Sequence, residues 1–274
     1  MATDPAAHAP VSAMTLDNYR FPTDKLKMRQ EVEDRIPLVL VACGSFSPIT
    51  ILHLRMFEMA SDYSRLSTQY EVVGGYLSPV SSAYKKAGLA PARDRVRMCE
   101  LAADDAPSWL MVDPWEAIQP DYTPTAAVLD HFDYELNQVL GGVYGVDGES
   151  RRPVKIMLLA GADLLSTMSA PGVWDKQDLN HILGDFGAMI VERSGTDMDE
   201  ALGNLKQWEN NIHFIPQLIH NDVSSTKIRL LLKRGMSVKW MTPHAVTQYM
   251  NERGLYTDDQ DTKSKDKGKQ QAKN

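Results

Sequence analysis

The sequence predicts an α/β fold, a mostly parallel sheet with helices on both faces. Three observations predict it. Two short, strongly apolar runs, Leu38–Cys43 without a break and Val154–Ala160 with Lys155 inside it, each end at a glycine, the pattern of strands buried on both faces. Segments of helical periodicity separate the apolar runs, and strand–helix alternation favours parallel pairing. The chain has 274 residues, 43% hydrophobic and 24% charged, which is enough to bury a core and too apolar for disorder.

The elements follow in order. Residues 1–35 are polar and read as a partly disordered or loosely docked N-terminal extension. The strand Leu38–Cys43 leads into a helix whose apolar stripe is Leu52, Met56, Met59, Tyr63 and Leu66. Tyr70–Leu77 is a strand that stops at Ser78-Pro79. Residues 92–104 are helical, with Val96, Cys99, Leu101 and Ala102 apolar, and Trp109–Val112 is strand-like. The Gly-rich stretch 141–153 reads as an exposed, mobile loop between two halves. Val154–Ala160, Phe186–Val191 and Ile212–Ile215 supply further strands. A helix covers Ser225–Arg234, and a last one opens at Thr242-Pro243, with Thr as cap and Pro in the first turn. From residue 258 the run DDQDTKSKDKGKQQAKN reads as a disordered, charged tail. The resulting expectation is one Rossmann-like domain over residues 36–257 with a small helical C-terminal part.

Composition excludes several functions. A net charge of −7 argues against a nucleic-acid partner, which needs a basic surface. Two cysteines, Cys43 and Cys99, are too few for a disulfide scaffold or Cys-rich zinc module. No run of about 18 apolar residues predicts a membrane span, and the first residues lack a secretory pattern. The expected location is intracellular, in the nucleus, the cytoplasm or both.

Ligands of such sheets bind beyond the carboxyl ends of the strands. After the first strand, GSFSPITILH offers Gly44 for a sharp turn and close backbone approach, Thr50 as a cap, and His53 in the first helical turn. Backbone N–H groups, helix dipole and imidazole there suit a phosphate. By spacing alone, a plain cap and a surface histidine fit equally well. Neither GxxxxGK[ST] nor GxGxxG occurs at this loop, which disfavours P-loop NTPases and nicotinamide dehydrogenases. Far along the chain, NDVSSTKIR opens a helix with hydroxyls and places Lys227 and Arg229 near its start, against the preference of the dipole. A polyanion between a mobile ammonium and a bidentate guanidinium would explain this. Solvated cations on a capped surface helix would do so equally.

Six stretches occur in order: GSFSPITILHLRMFEMA, SPVSSAYKKAGLAPARDRVRMCELA, VDPWEAIQPDY, IMLLAGADLL, PGVW and NDVSSTKIR. Together they resemble the eukaryotic nicotinamide/nicotinic acid mononucleotide adenylyltransferases of the nucleotidyltransferase superfamily, over residues 36–257. GSFSPIT is most similar to fungal members; animal and plant members usually carry Asn at the place of Ser47. Thr50 and Leu52 stand where the wider superfamily's His-x-Gly-His motif has its first His and its Gly.

The resemblance implies adenylyl transfer from ATP to NMN, and to nicotinic acid mononucleotide as well. The products are NAD or deamido-NAD and pyrophosphate, formed by in-line attack on the α-phosphate. Mg²⁺ is implied, bound mainly through the ATP phosphates with Asp163 reaching it through water, and so is a homo-oligomer. His53, Lys86 and Arg229 take the catalytic roles. Ser224, Thr226, Lys227, Ile228 and Arg229 hold ATP phosphates, while Gly44 and Ser45 line the dinucleotide site and Gly161, Asp163 and Asn221 contact the nucleotide. Val173, Trp174, Tyr122, Thr125 and Arg193 serve the pyridine side, although many members carry Trp where this chain has Tyr122. Lys85 reads as solvated and Trp115 as packing. The remaining histidines, His8, His131, His181, His213, His220 and His244, show no metal-ligand spacing. Two alternatives stay open: a different phosphate acceptor on the same fold, and a chaperone-like binding protein that keeps the nucleotide site as scaffold.

Overall fold

The computed structural model describes residues 15–106, 108–192 and 202–257. Six strands form one sheet: β1 (Ile36–Gly44), β2 (Tyr70–Pro79), β3 (Leu110–Val112), β6 (Lys155–Gly161), β7 (Ala188–Val191) and β8 (Ile212–Ile215). Their order is β3-β2-β1-β6-β7-β8, and every neighbouring pair is parallel. The chain thus builds outward from β1 in one direction, returns, and builds from β6 in the other. The order reverses between β1 and β6, whose last residues are Gly44 and Gly161.

Alternation along the strands feeds two cores. Leu38 and Leu40 of β1, with Met157 and Leu159 of β6, face one side of the sheet. There they meet α1 (Ile51–Ser67), α2 (Ala92–Asp104), and the two C-terminal helices α6 (Ser225–Lys233) and α7 (His244–Arg253) through Phe57, Met98, Ile228 and Val246. Val39 and Val41, with Ile156 and Leu158, face the other side. That side is covered by α3 (Thr125–Asp133), α4 (Ala162–Ser169) and α5 (Lys176–Leu179). α3 and α5 each run on into a π-helical turn, at Tyr134–Val139 and Asn180–Phe186.

Several elements differ from the sequence reading. The buried centre of α1 is Phe57, Ala60 and Ser64, while Leu66 is 70% exposed. Ser64 tolerates burial because its hydroxyl donates to the Ala60 carbonyl at 2.7 Å, so a polar letter concealed the buried face. Phe186 belongs to the π-helical turn, and β7 starts two residues later, after Gly187 with φ +85°. The last helix starts at His244 with Pro243 at the cap, one residue beyond the expected register.

The 141–153 stretch is a hairpin rather than a loop. β4 (Val143–Tyr144) pairs antiparallel with β5 (Arg151–Arg152), and the Gln30 N–H donates to the Tyr144 carbonyl at 2.9 Å. The described part of the N-terminal extension is likewise tied down. Tyr76 Oη donates to the Pro22 carbonyl at 2.7 Å, and the Lys27 N–H to that of Val73 at 2.8 Å. Residues 1–14 and the expected tail 258–274 lie outside the described residues.

Candidate active site

A cleft of about 310 Å³ opens at the carboxyl ends of β1 and β6, where the strand order reverses. Open α/β sheets place their ligands at this point. Cys43, Gly44 and Ser45 form one wall, and Ala160 to Leu164 another. His53 stands on the floor, and Lys86, Ser224, Ser225, Thr226 and Arg229 close the far side. Gly44 has no positive φ; its hydrogen is needed because a Cβ would lie 3.1 Å from the Phe46 ring. The left-handed residue of the loop is Phe46 itself, at φ +41°.

The start of α1 sets the state of His53. Thr50 is the N-cap, and its hydroxyl accepts from the His53 N–H at 3.4 Å. The Thr50 N–H in turn donates to His53 Nδ1 at 3.0 Å, with Thr50 Oγ1 2.8 Å from the same nitrogen. A backbone N–H only donates, so Nδ1 is the acceptor and a neutral ring carries its proton on Nε2. Burial pulls the imidazole pKa down to about 4, and the Phe46 ring stands edge-on to it at 5.2 Å. His53 is therefore a neutral hydrogen-bond donor at pH 7, held in one tautomer.

The second phosphate segment opens α6. Ser224 caps the helix through the Lys227 N–H at 3.3 Å. Thr226 and Arg229, three residues apart, share the face that lines the cleft. Arg229 Nη1 also donates to the Ser47 carbonyl at 2.8 Å, and Ser225 Oγ to that of Pro48 at 2.8 Å, so this segment is fastened to the first loop.

Two residues expected at the phosphates have side chains that point elsewhere than the cleft. Lys227 does not line the cleft, and its ammonium pairs with Asp222 outside. A residue two positions from Arg229 is turned about 200° around a helix and cannot share its face. Ile228 is fully buried in the core beneath the helix. The second cation of the cleft is Lys86, while Lys85 stays outside the lining.

The described pyridine-side candidates, Tyr122, Thr125, Val173 and Trp174, also lie outside the lining. Tyr122, 53% exposed, stacks on Tyr84 with centroids 5.9 Å apart. Thr125 is the first residue of α3. Val173 is exposed, and Trp174 Nε1 donates to Thr167 Oγ1 at 3.2 Å. Arg193 falls outside the described residues. Asn221 shapes its own loop, donating from its N–H to Gln217 Oε1 at 2.7 Å and accepting the Val223 N–H at 3.0 Å. Trp115 packs flat on His131 at 4.1 Å, as a packing residue does.

Glu192, Gln217 and Val223 line the cleft without having been singled out, and Leu52 and Met56, read from the sequence as part of an apolar helix stripe, line it as well. Glu192 directly follows β7 and Gln217 stands two residues beyond β8, so position after a strand end was the available signal. Among the described residues no group of three or more His, Cys, Asp or Glu is gathered for a metal. Asp163 and Glu192 are the cleft's carboxylates. That donor set suits a cation held chiefly by substrate phosphates and water.

Glu116, 3% exposed, accepts from Ser78 Oγ at 2.8 Å. Burial pushes its pKa up to about 7, against the Ser78 hydrogen bond and the nearby Arg95 charge.

The comparisons agree with this geometry. The cytidylyltransferase-like family matches residues 41–231. A nicotinamide/nicotinic acid mononucleotide adenylyltransferase of Schizosaccharomyces pombe is 54% identical, over 92% of this chain and 69% of its own length. The Saccharomyces cerevisiae enzyme of that name numbered 2 is also 54% identical, over 89% of this chain and 62% of its own, so this chain spans less than two thirds of that relative. The Arabidopsis thaliana enzyme is 39% identical over 86% of this chain and 97% of its own. A sheet that reverses at a cleft lined by His53, Lys86 and Arg229, with 54% identity to such an enzyme over 92% of this chain, places the chain in the nicotinamide/nicotinic acid mononucleotide adenylyltransferase family.

Proposed function

We infer that the chain transfers the adenylyl group of ATP to NMN and to nicotinic acid mononucleotide. An oxygen of the mononucleotide 5′-phosphate forms a bond to the α-phosphorus of ATP. The bond from that phosphorus to the bridging β-phosphate oxygen breaks, and pyrophosphate leaves with the electron pair. The products are NAD or deamido-NAD. Such a transfer asks for alignment and charge stabilisation, and no covalent nucleophile.

The observation that carries this reading is the convergence of His53, Lys86 and Arg229 on one cleft at the sheet's reversal point. His53 Nε2–H is a fixed, uncharged donor for a phosphate oxygen, strengthening as charge develops there. Arg229 and Lys86 supply the positive charge. Arg229 is prealigned by its bond to the Ser47 carbonyl, so it spends little ordering on binding. Ser224 and Thr226 add hydroxyl donors, and Gly44, Ser45 and Gly161 let the nucleotide lie close to the backbone. Mg²⁺ bound with ATP would supply further neutralisation of the triphosphate, with Asp163 holding it through water. Tyr122, Trp174, Thr125 and Val173 are proposed to flank the pyridine beyond the cleft.

The test offers ATP and Mg²⁺ with NMN, nicotinic acid mononucleotide or phosphopantetheine and follows products by mass. NAD and deamido-NAD should form with the two pyridine nucleotides. Transfer to phosphopantetheine alone, or pyrophosphate release without any acceptor, would overturn the assignment.

A further inference from the structure

Arg95 is a buried charge with no part in the chemistry above. It projects from α2, is 0% exposed, and forms no ion pair among the described residues. Its guanidinium is spent on main-chain carbonyls. Nε donates to Ala90 O at 2.9 Å, Nη1 to Ser45 O at 3.0 Å, and Nη2 to Val80 O at 2.7 Å, with Ser81 O further off at 3.4 Å. A buried guanidinium solvated this way is a poor choice for filling a core, since apolar residues of similar volume usually do as well or better.

The positions of those carbonyls give the arrangement its meaning. Ser45 belongs to the loop that follows β1 and lines the cleft. Val80 and Ser81 begin the loop that carries Lys86, and Ala90 ends it. One side chain therefore joins both feet of the Lys86 loop to the loop after β1. Ala90 is clasped from both sides, because its N–H donates to Ser47 Oγ at 3.0 Å while its carbonyl accepts from Arg95. At Ser45, a trans peptide whose carbonyl faces Arg95 turns the following N–H, that of Phe46, to the opposite side.

We propose that Arg95 is a positioning residue for adenylyl transfer, closing the base of the Lys86 loop and tying it to the loop after β1, so that the Lys86 ammonium keeps a set distance from the reacting phosphates. This rests on the reaction assigned above. A planar fork with donors pointing in three directions is what the task needs; an ammonium keeps the charge but bonds from a single point.

The experiment compares Arg95→Lys and Arg95→Gln with Ile182→Ala, a fully buried core position packed against the opposite face of the sheet. Three readouts are taken: thermal unfolding, tryptic cleavage after Lys85 and Lys86 without nucleotide, and steady-state kinetics with ATP and NMN. Folded Arg95 variants should lose about 30-fold or more in kcat, with each KM within about threefold, because misplacement by an ångström weakens the transition state more than the ground state. Cleavage at the loop should accelerate about tenfold. Ile182→Ala should lower the melting temperature yet keep kcat and loop cleavage within about twofold. The proposal fails if a folded Arg95 variant keeps wild-type kcat and cleavage, or if Ile182→Ala reproduces both losses. It also fails if neither Arg95 variant folds, since the residue would then serve the fold and not the spacing. The tryptic readout involves no substrate, so it separates failure of this proposal from failure of the reaction assignment.

Discussion

At the scale of single residues, protonation is set by burial and by the nearest backbone groups. His53 is neutral because the cleft floor desolvates it, and its tautomer is fixed because the Thr50 N–H occupies Nδ1. Replacing it with Ala should lower kcat by roughly 10²-fold, the scale for losing one preorganised donor. With its pKa at about 4, turnover of the wild type should show no acid limb from this residue between pH 6 and 8, and a limb near 6.5 that vanishes in His53→Ala would contradict the assignment. Glu116 behaves oppositely. Its folded pKa, about 7, lies above the ordinary carboxylate value, so between the two the native state holds the extra proton. The associated stability is present at low pH and is lost as pH rises through 7. Glu116→Gln should therefore melt higher than wild type at pH 8, by up to about 3 kcal/mol, and the gain should shrink at pH 5. The residue identities His53, Lys86 and Arg229 were legible from motifs. The direction of Lys227 was legible too, from helix geometry alone, but motif matching ignores angle and so assigned Lys227 and Arg229 one task.

At the scale of elements, two helix starts do most of the work. α1 delivers His53 and α6 delivers Arg229, each helix capped by a hydroxyl residue, and Ser225 and Arg229 fasten the start of α6 to the loop after β1. Thr50→Val should cost about 1 kcal/mol in stability for the lost cap, and it should lower kcat by removing the hydroxyl contact to His53 Nδ1 while the backbone bond to that nitrogen remains. Thr50→Ser should keep both. On α6, Arg229→Ala should raise the KM for ATP and lower kcat, whereas Lys227→Ala should leave ATP kinetics within about threefold, because its ammonium faces Asp222 in solvent. Equal losses in the two variants would place Lys227 at the phosphates after all. The strands were legible because β-runs buried on both faces leave continuous apolar letters. The buried face of α1 was less so, since a self-satisfied Ser64 sits at its centre. The docking of the 141–153 hairpin against the segment around Gln30 was not legible, because the two lie over a hundred residues apart. Pairing at that range leaves no local pattern.

At the scale of the whole molecule, the site is a property of topology. The cleft exists because β1 and β6 are neighbours from which the chain departs in opposite directions, leaving no helix over their shared end. A ligand bridging the two halves should stabilise the entire domain. ATP with Mg²⁺ at about a hundred times its dissociation constant should add about 2.7 kcal/mol, seen as a rise of roughly 5–11 °C in melting temperature. Arg229→Ala should lose most of that rise. The fold class was readable from strand–helix alternation together with the two glycine-ended strands, whereas the strand order that sets the reversal point was not. The acceptor side was readable only through resemblance, because Tyr122, Thr125, Val173 and Trp174 come from segments whose spacing encodes nothing by itself.

The fastening of Ser47 has a consequence for how the protein comes into being. This early residue takes its partners from Ala90, from Arg229 and, at 2.7 Å between hydroxyls, from Tyr256. A ribosome that has delivered both glycine-ended strands has still released a nascent chain whose cationic wall is unmade. The fastening of Ser47 is complete only once Tyr256 has emerged from the exit tunnel and reached a loop synthesised some two hundred codons before.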